Sequence, residues 1–310
     1  SVHRSVFTNP YNTHVLESLL QGELEFLDGA VITDWDIDTR RLWDVWVEEK
    51  KAPPAHLLYV PRKVAPSAYE MMAKEISKMT SFIEGLAGST ITIGSLRSAV
   101  NLYNRIRTLI WSLYELRKRE VPPLCGAEFL GITTAAMVMP PEEFANELET
   151  LFGYLEQRKS PAKNLRPRIL VSSDSLDNLA YLELIEEAGS LVAMDDLDTG
   201  SRHFLQLVDI DSGDLIYSLA KRYTNGRAGP RFVSWDDQME QIKEWVREFH
   251  VEGVIELPLS FSHPRALRAM FFSDSLNKAG IRNISITRDY HLANVGQLRT
   301  RIEAFLETLL

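Results

Sequence analysis

Cysteine is almost absent from this sequence. The 310 residues include one, Cys125, so the chain cannot form an internal disulfide bond. Zinc and iron–sulfur centres in proteins usually draw on several thiolates, and this chain alone cannot supply them. We predict that Cys125, which follows two prolines, is a small buried side chain rather than a reactive thiol.

Long apolar runs and an excess of basic residues are missing as well. No segment approaches the roughly 20 apolar residues of a membrane helix, and no signal-like segment opens the chain. The 43 acidic and 34 basic residues give a net charge of -9, which argues against a nucleic-acid or anionic membrane surface. The composition predicts a cytoplasmic protein with small-molecule or protein partners, no nucleic acid and no membrane.

Several well-known site motifs do not occur. The sequence contains no GxGxxG, GxxxxGK[ST], GxSxG, HExxH or HxH, and therefore gives no support for a dinucleotide, a P-loop nucleotide, a hydrolase nucleophile or a histidine metal site. The stretch DTGS at 198–201 matches the catalytic triplet of aspartic proteases, but those proteins are all-β, and here the stretch interrupts a strand–helix series. We predict no metal bound by this chain.

What is present is a regular alternation of strands and helices. The length suggests about two domains, and the proline-containing stretch at 158–168 is the best linker, which predicts domains 1–160 and 161–310. In the first half the pattern predicts strands at 28–34 and 56–61 and helices at 38–49, 67–88, 95–120 and 141–157. The basic residues Arg117 to Arg119 would close the helix at 95–120, where they suit the negative end of its dipole.

The second half repeats the alternation more clearly. Strands are predicted at 168–172, 190–196, 251–259 and 283–290, and helices at 178–189, 236–250, 264–280 and 295–310. Glycines such as Gly189 and Gly280 close the helices. This order predicts an α/β fold with an open parallel sheet and helices on both faces.

Polar residues follow most of the predicted strands. They lie at 33–38, 172–175, 195–198, 260–263 and 288–291. Ligands of open parallel sheets bind beyond the carboxyl ends of the strands, so these segments are candidates for one crevice.

The charged residues in these segments admit two interpretations. Asp195, Asp196 and Asp198 suit acid–base chemistry or hard cations, but aspartate is also a common helix N-cap. Arg40 suits an anionic ligand, although arginines at such positions are more often solvated or paired with a neighbour such as Asp44.

Five segments resemble the 2-hydroxyacyl-CoA dehydratase and benzoyl-CoA reductase subunit family, in its D-component-like branch. They are RILVSSDSLDNLAYLELIEEAGSLVAMDDLDTGSRHF, NVGQLRTRIEAFLETL, FLDGAVITDWDIDTRRLWDVW, HLLYVPRK and SLRSAVNLYNRIRTLIWSLYELRK. The resemblance covers nearly the whole chain. It implies two flavodoxin- or Rossmann-like parallel-sheet lobes with additional long helices, in a heterodimer or larger complex.

The resemblance also implies a four-iron four-sulfur cluster held by three cysteines, an ATP-dependent activator protein that delivers electrons, and an acyl-CoA substrate. The cysteines would be expected at or just before 1–3, at 33–38 and at Ser262, and Asp198 stands where many relatives have cysteine. None of these positions is cysteine here. Hydroxyl and carboxylate groups are poor substitutes for thiolates on such a cluster.

Three hypotheses follow. The chain is a cluster-free subunit whose homologous partner carries the iron–sulfur cluster, or a non-redox acyl-CoA enzyme of the lyase or hydratase type, or a purely structural partner. The candidate catalytic residues, with acid–base roles, are Asp36, Asp198 and His263. The candidate substrate-binding residues are Arg40, Ser173, Ser262 and His291.

Overall fold

The structure is a computed structural model. It describes residues 9–158, 167–225 and 235–310, with only the backbone at positions 263, 264, 266 and 267. Most of the predicted linker at 158–168 and the predicted ligand position at 1–3 lie outside the described residues. By its contacts the chain forms two compact units, one of residues 1–100 and 208–225 and one of residues 101–207 and 226–310. The domains 1–160 and 161–310 stay a prediction.

The described residues alternate between helices and parallel strands. The helices are α1 (Pro10–Leu20), α2 (Ile37–Glu48), α3 (Pro66–Ala87), α4 (Ile93–Leu116), α5 (Gly126–Val138), α6 (Pro141–Gln157), α7 (Ala180–Glu187), α8 (Ser201–Phe204), α9 (Leu215–Asn225), α10 (Trp235–Glu248), α11 (His263–Lys278) and α12 (Val295–Glu307). The strands are β1 (Ala30–Thr33), β2 (Ala55–Leu58), β3 (Arg168–Ser173), β4 (Leu191–Asp196), β5 (Gly253–Leu257) and β6 (Asn283–Ser285). Every helix and strand that the sequence predicted is present.

The first unit contains one strand–helix–strand motif. Strands β1 and β2 pair in parallel, with Ala30 opposite Ala55, and α2 connects them, as the sequence predicted. The apolar face of α2 packs on this sheet through Leu42 and Trp46, and the Trp46 indole donates a hydrogen bond to the Pro53 carbonyl at 2.9 Å. Packing of this apolar face, rather than helix propensity alone, holds the helix in place.

The second unit contains a four-stranded parallel sheet in the order β4-β3-β5-β6. Side chains of β3 alternate between its two faces, since Leu170 belongs to one apolar cluster and Ile169 and Val171 to the other. Helices cover both clusters, so the predicted α/β fold with parallel sheets is confirmed. The strand order reverses direction between β3 and β5, which is where ligands of such sheets bind.

Helix α4 ends earlier than predicted. It stops at Leu116, so the prediction that Arg117 to Arg119 close it is wrong. The side chain of Arg117 is buried instead, and its Nη2 donates to the Val192 carbonyl at 2.6 Å. A buried hydrogen bond to a strand outweighs a dipole interaction that water would screen.

Helix α5 was not predicted. It is apolar on all sides, so it lacks the one-sided periodicity that marks a surface helix. It begins at Gly126, where an added Cβ would lie 2.5 Å from the Val192 Cβ, and glycine therefore permits its close approach to β4. Within the described residues, none of the helices combines the length and apolar character that crossing a bilayer requires.

Candidate functional site

The carboxyl edge of the second unit's sheet carries a dense group of charged and hydroxyl side chains. We call it the crevice cluster, and it consists of Ser172, Ser173, Asp174, Asp196, Asp198, Arg202, Gln238, Glu256, Arg265 and Arg288. These residues lie at strand ends and on the helices that follow, at the reversal of strand order between β3 and β5. The local pattern of strand followed by helix therefore assembles the cluster.

Asp196 is one of two carboxylates of the crevice cluster that are only 2% exposed, the other being Glu256. The Oδ2 of Asp196 accepts hydrogen bonds from Ser172 Oγ at 2.7 Å and from Gln238 Nε2 at 3.2 Å. Burial by itself would raise its pKa, but Arg202 and Arg265 outweigh burial, and the pKa of Asp196 lies below its ordinary value. Asp196 is therefore a permanent counter-charge and a poor general acid or base at neutral pH.

Arg202 joins two of the candidate residues predicted from the sequence. Its Nη2 lies 2.8 Å from Asp198 Oδ1 and also donates to the Ser173 carbonyl. Its Nε lies 3.7 Å from Asp196 Oδ1. The structure thus brings Ser173 and Asp198 together around one buried guanidinium.

Asp198 differs from Asp196 in its access to solvent, since 30% of its side chain is exposed. Burial of the rest and the nearby carboxylates Asp174 and Asp196 raise its pKa, against the opposite effect of Arg202. A carboxyl group with a raised pKa and an open face suits proton transfer. Asp198 is the acid–base candidate of this cluster.

Arg265, from the first turn of α11, neutralises the other side of the cluster. Its Nε lies 3.5 Å from Glu256 Oε1 and 3.7 Å from Asp174 Oδ1, and its Nη2 donates to Ser172 Oγ. Burial raises the pKa of Glu256, which is only partly offset by Arg265. Glu256 is 2% exposed, so a substrate that arrives from solvent cannot reach its carboxylate.

Asp195 has a structural role outside the cluster. Its Oδ2 accepts from Tyr114 Oη at 2.7 Å, and its Oδ1 accepts from the backbone N of Ser201, the first residue of α8, at 2.8 Å. An added Cβ at Gly200 would lie 2.2 Å from that Oδ1. The alternative interpretation of these aspartates as helix-start acceptors therefore applies to Asp195.

The strand ends of the first unit show similar use of aspartate. Asp36 is the N-cap of α2, and its Oδ1 accepts from the backbone N of Thr39 at 2.7 Å. Asp34 Oδ1 accepts from the Val60 N at 2.9 Å, and the buried Asp38 accepts from the Asn9 N at 3.1 Å. Each carboxylate stabilises a turn or a helix start.

Arg40 lies one turn into α2 and is 43% exposed. Its Nε is 3.5 Å from Asp44 Oδ1, and its Nη1 donates to the Tyr59 hydroxyl at 3.3 Å. The predicted pairing with Asp44 is confirmed. A role of Arg40 in substrate binding stays a prediction.

An open cavity of about 570 Å³ lies beside the strand ends of the first unit. Its walls combine the apolar side chains of Val60, Pro61 and Met71 with two cations, Arg62 and Lys63, and one carboxylate, Asp34. The N-terminus of α3 adjoins it. An apolar surface with basic groups suits a ligand that has an apolar part and an anionic part.

The remaining candidates lie in the second unit. Ser262 occupies the N-cap of α11, and His263 begins that helix, although its side chain is outside the described residues. His291 is exposed, and its carbonyl accepts from the Tyr181 hydroxyl at 3.1 Å. The structure assigns Asp36 and Arg40 to one unit and these residues, with Ser173 and Asp198, to the other.

Sequence reasoning missed Arg202, Arg265 and Glu256 as members of this cluster. One signal was available for Glu256, because it is a charged residue inside the otherwise apolar strand β5, and a buried charge needs a partner. The arginines gave no comparable signal, since helix residues of either face can be basic.

The donor set does not fit an iron–sulfur cluster. Within the described residues, the expected positions are the segment 33–38, Ser262 and Asp198, and their oxygen donors do not replace thiolates. Cys125 is the N-cap of α5, and burial raises the pKa of its thiol to about 12, so it is protonated at neutral pH. Among the described residues, no group of three or more histidines, cysteines and carboxylates is placed to hold a metal ion.

The fold places the chain among the α/β proteins with parallel sheets and polar residues at the strand ends. Comparison with known sequences identifies its family. The model of the family described as 2-hydroxyglutaryl-CoA dehydratase, D-component, matches residues 3–309. The chain belongs to this family, which confirms the resemblance found in the sequence.

Individual relatives are subunits of dehydratases and of a reductase. YjiM of Escherichia coli (strain K12), named by inference as a dehydratase subunit, is 29% identical over 92% of this chain and 75% of its own length. The (R)-2-hydroxyglutaryl-CoA dehydratase subunit beta of Acidaminococcus fermentans is 26% identical over 95% of this chain and 79% of its own. A benzoyl-CoA reductase subunit of Thauera aromatica is 23% identical over 99% of this chain and 82% of its own.

Proposed function

We propose that this chain is a cluster-free subunit of a dehydratase- or reductase-type complex that acts on an acyl-CoA thioester. The iron–sulfur cluster lies on a homologous partner subunit, and an ATP-dependent activator supplies its electrons. One observation carries the proposal: the chain belongs to the family over residues 3–309, yet its single cysteine is a protonated N-cap of α5.

The relatives support a role as one subunit among several. Their names describe a beta subunit of (R)-phenyllactyl-CoA dehydratase, a beta subunit of (R)-2-hydroxyglutaryl-CoA dehydratase and a subunit of benzoyl-CoA reductase. A chain without cluster ligands still has a role in such a complex if it shapes the thioester site or stabilises the assembly.

The first-unit cavity supports contact with the thioester. Val60, Pro61 and Met71 offer an apolar surface to an acyl or pantetheine chain, and Arg62 and Lys63 offer charge to phosphate groups. Arginine and lysine are the usual partners of phosphate in proteins. Arg40, Ser173, Ser262 and His291 are proposed as further substrate contacts.

Native mass spectrometry of the complex, purified anaerobically from its source, tests the proposal. We expect this chain to separate from a larger partner that alone retains the mass of iron and sulfide. Colorimetric iron and sulfide assays of both separated subunits provide the quantitative readout. A cluster retained by this chain would contradict the proposal, as would a chain that purifies without any partner.

A second candidate function is non-redox acyl-CoA chemistry, and the state of Asp198 favours it. Asp198 has a raised pKa and a partly open side chain, with Asp36 and His263 as further acid–base candidates. If the isolated chain turns over an acyl-CoA, we expect Asp198→Asn to abolish turnover and Asp274→Asn, at an exposed position of α11, to preserve it. Equal activity of both variants would exclude Asp198 as the acid–base group.

A further inference from the structure

A small cavity lies at the carboxyl end of β6, next to the start of α12. Its volume is about 100 Å³, and its walls include Tyr181, Arg288, Asp289, Asn294, Gln297 and Arg301. We call it the β6–α12 pocket. All of these residues belong to the second unit. The space suits a compact polar group rather than an apolar chain.

The buried wall of the β6–α12 pocket is a cation without a close counter-charge. Arg288 is 3% exposed, and its three nitrogens donate to neutral oxygens: Ser173 Oγ at 3.2 Å, the Ser175 carbonyl at 2.6 Å and the Asp289 carbonyl at 3.4 Å. Among the described residues, no carboxylate comes within 4.0 Å of its guanidinium. A buried charge is stable only when an opposite charge or strong hydrogen bonds compensate it.

The electrostatics around Arg288 agree with this deficit. Burial lowers its pKa, and the attraction of Asp174 and Asp177 offsets burial only in part. The Tyr181 ring lies 5.5 Å from the guanidinium and contributes a cation–π contact without net charge. Arg288 is therefore compensated by neutral oxygens and more distant carboxylates rather than by an adjacent negative charge.

The open side of the pocket adds positive potential. Helix α12 begins beside it, with Asn294 in the left-handed region (φ 52°, ψ 38°), no side-chain cap and no acidic residue in the first turn. The backbone N–H groups of that turn attract anions. Arg301, one turn further on, is exposed and lines the same space.

One carboxylate opposes this potential. Asp289 lines the pocket, and its Oδ1 accepts from Ser260 Oγ at 2.9 Å, so it is held by a partner at the end of β5. Against this single negative charge stand two arginines and the positive end of a thirteen-residue helix. The balance of the pocket is positive.

We propose that the β6–α12 pocket binds a phosphate group, either free phosphate or the phosphate of a larger ligand. Arginine side chains and the N–H groups of a helix start are common phosphate partners, and Arg288, Arg301 and the first turn of α12 line one space of about 100 Å³. The proposal concerns this pocket alone and does not depend on the function proposed above.

Isothermal titration of the full chain with inorganic phosphate at low ionic strength is the direct test. We expect saturable binding with one phosphate per chain. Gln297→Glu puts a negative charge into the pocket at the first turn of α12, a position where acidic residues stabilise helices, so the variant should fold. We expect it to weaken phosphate binding at least about tenfold, the effect of one charge-assisted hydrogen bond.

Arg301→Gln, which removes a lining cation, should also weaken binding about tenfold. Arg299→Gln is the matched control, because it removes the same charge from the same helix, where Arg299 pairs with Glu187 at 2.5 Å outside the pocket. Its binding should stay within about twofold of wild type, since Arg299 does not line the pocket and its charge is compensated by Glu187. Thr300→Glu is the corresponding control for Gln297→Glu.

Two results would overturn the proposal. One is no saturable heat with phosphate on the folded wild-type chain. The other is equal weakening of phosphate binding by Arg301→Gln and Arg299→Gln. That result would show that the net charge of the chain, and not the pocket, determines binding. If binding occurs, competition by coenzyme A assigns the phosphate to a coenzyme A ligand, and its failure to compete excludes coenzyme A as the source of the phosphate.

Discussion

The two compact units place aspartates at the same point of their parallel strands but satisfy them differently. In the first unit, Asp34, Asp36 and Asp38 accept hydrogen bonds from backbone N–H groups. In the second unit, Asp196 faces the buried side chain of Arg202, and Glu256 faces another buried arginine. Asp195 of the second unit also accepts from a backbone N–H group, but the carboxylates of Asp196 and Glu256 face arginines.

The partner decides what each carboxylate can do. A carboxylate that accepts from the backbone supports a helix start or a turn, and losing it costs one cap. A carboxylate that compensates a buried arginine is part of a charge balance, and losing either partner leaves an uncompensated charge in the interior. Acidic residues at strand ends therefore indicate a catalytic site only once their partners are known.

The largest effect is expected from breaking the charge balance of the second unit. Arg202→Leu leaves Asp196 buried without its adjacent cation, and we expect the free energy of unfolding to fall by about 3–5 kcal/mol. Urea denaturation followed by circular dichroism measures this. Arg40→Leu in the first unit is the matched control, because its pair with Asp44 is exposed, and it should leave the midpoint nearly unchanged. Comparable losses in both variants would remove the distinction between the units.

Gly200→Ala tests how closely Asp195 is packed. The new methyl carbon would lie 2.2 Å from Asp195 Oδ1, and we expect a loss of about 1–3 kcal/mol from overpacking, measured as a lower thermal midpoint. Gly85→Ala in α3 is the control, since its methyl group meets no atom within 4 Å and alanine favours helix over glycine. A lower midpoint for Gly85→Ala as well would show that the assay responds to α-carbon substitution in general.

A smaller effect is expected in the first unit. Asp36→Ala removes the N-cap of α2 and should cost about 1 kcal/mol, again by urea denaturation. Asp36→Ser restores a hydroxyl acceptor for the Thr39 N–H and should recover most of the loss. If serine does no better than alanine, the carboxylate of Asp36 has another role, such as the acid–base chemistry predicted from the sequence.

The smallest expected effect is on how the free energy of unfolding depends on pH. The folded-state pKa of Asp196 is depressed, so its stabilisation is present above its unfolded pKa of about 4 and is lost as the pH falls through the lower folded value. We expect the unfolding free energy of wild type to decline more steeply below about pH 4 than that of Asp196→Asn. Urea titrations from neutral to acidic pH measure both slopes, and parallel slopes would contradict the assignment.

Periodicity predicted the alternating elements well because their faces are distinct. Strand β3 has a continuous apolar run, and α7 closes at Gly189, whose φ of 98° requires glycine. Helix α5 escaped prediction because its apolar residues are spread around the helix, so they give no one-sided period. The end of α4 was misplaced because the partner of Arg117 is a carbonyl 75 residues away.

The candidate site was predictable only in outline. Strand ends gave Ser173 and Asp198, since the chain itself places them at one edge. Arg202, which connects them, could not be deduced, because its ion pairs depend on tertiary packing. The same holds for Arg265, whose three partners come from the ends of two strands, β3 and β5.

The N-cap position of Cys125 has a practical consequence for work on this chain. With its pKa raised to about 12, the thiol is almost entirely protonated at pH 7 and reacts slowly with maleimides and methanethiosulfonates, which attack thiolates. The chain as it stands therefore reacts very little with thiol-labelling reagents. Pairs of introduced surface cysteines can carry spin labels or fluorophores without first removing the native one, and distances between the two compact units become directly measurable.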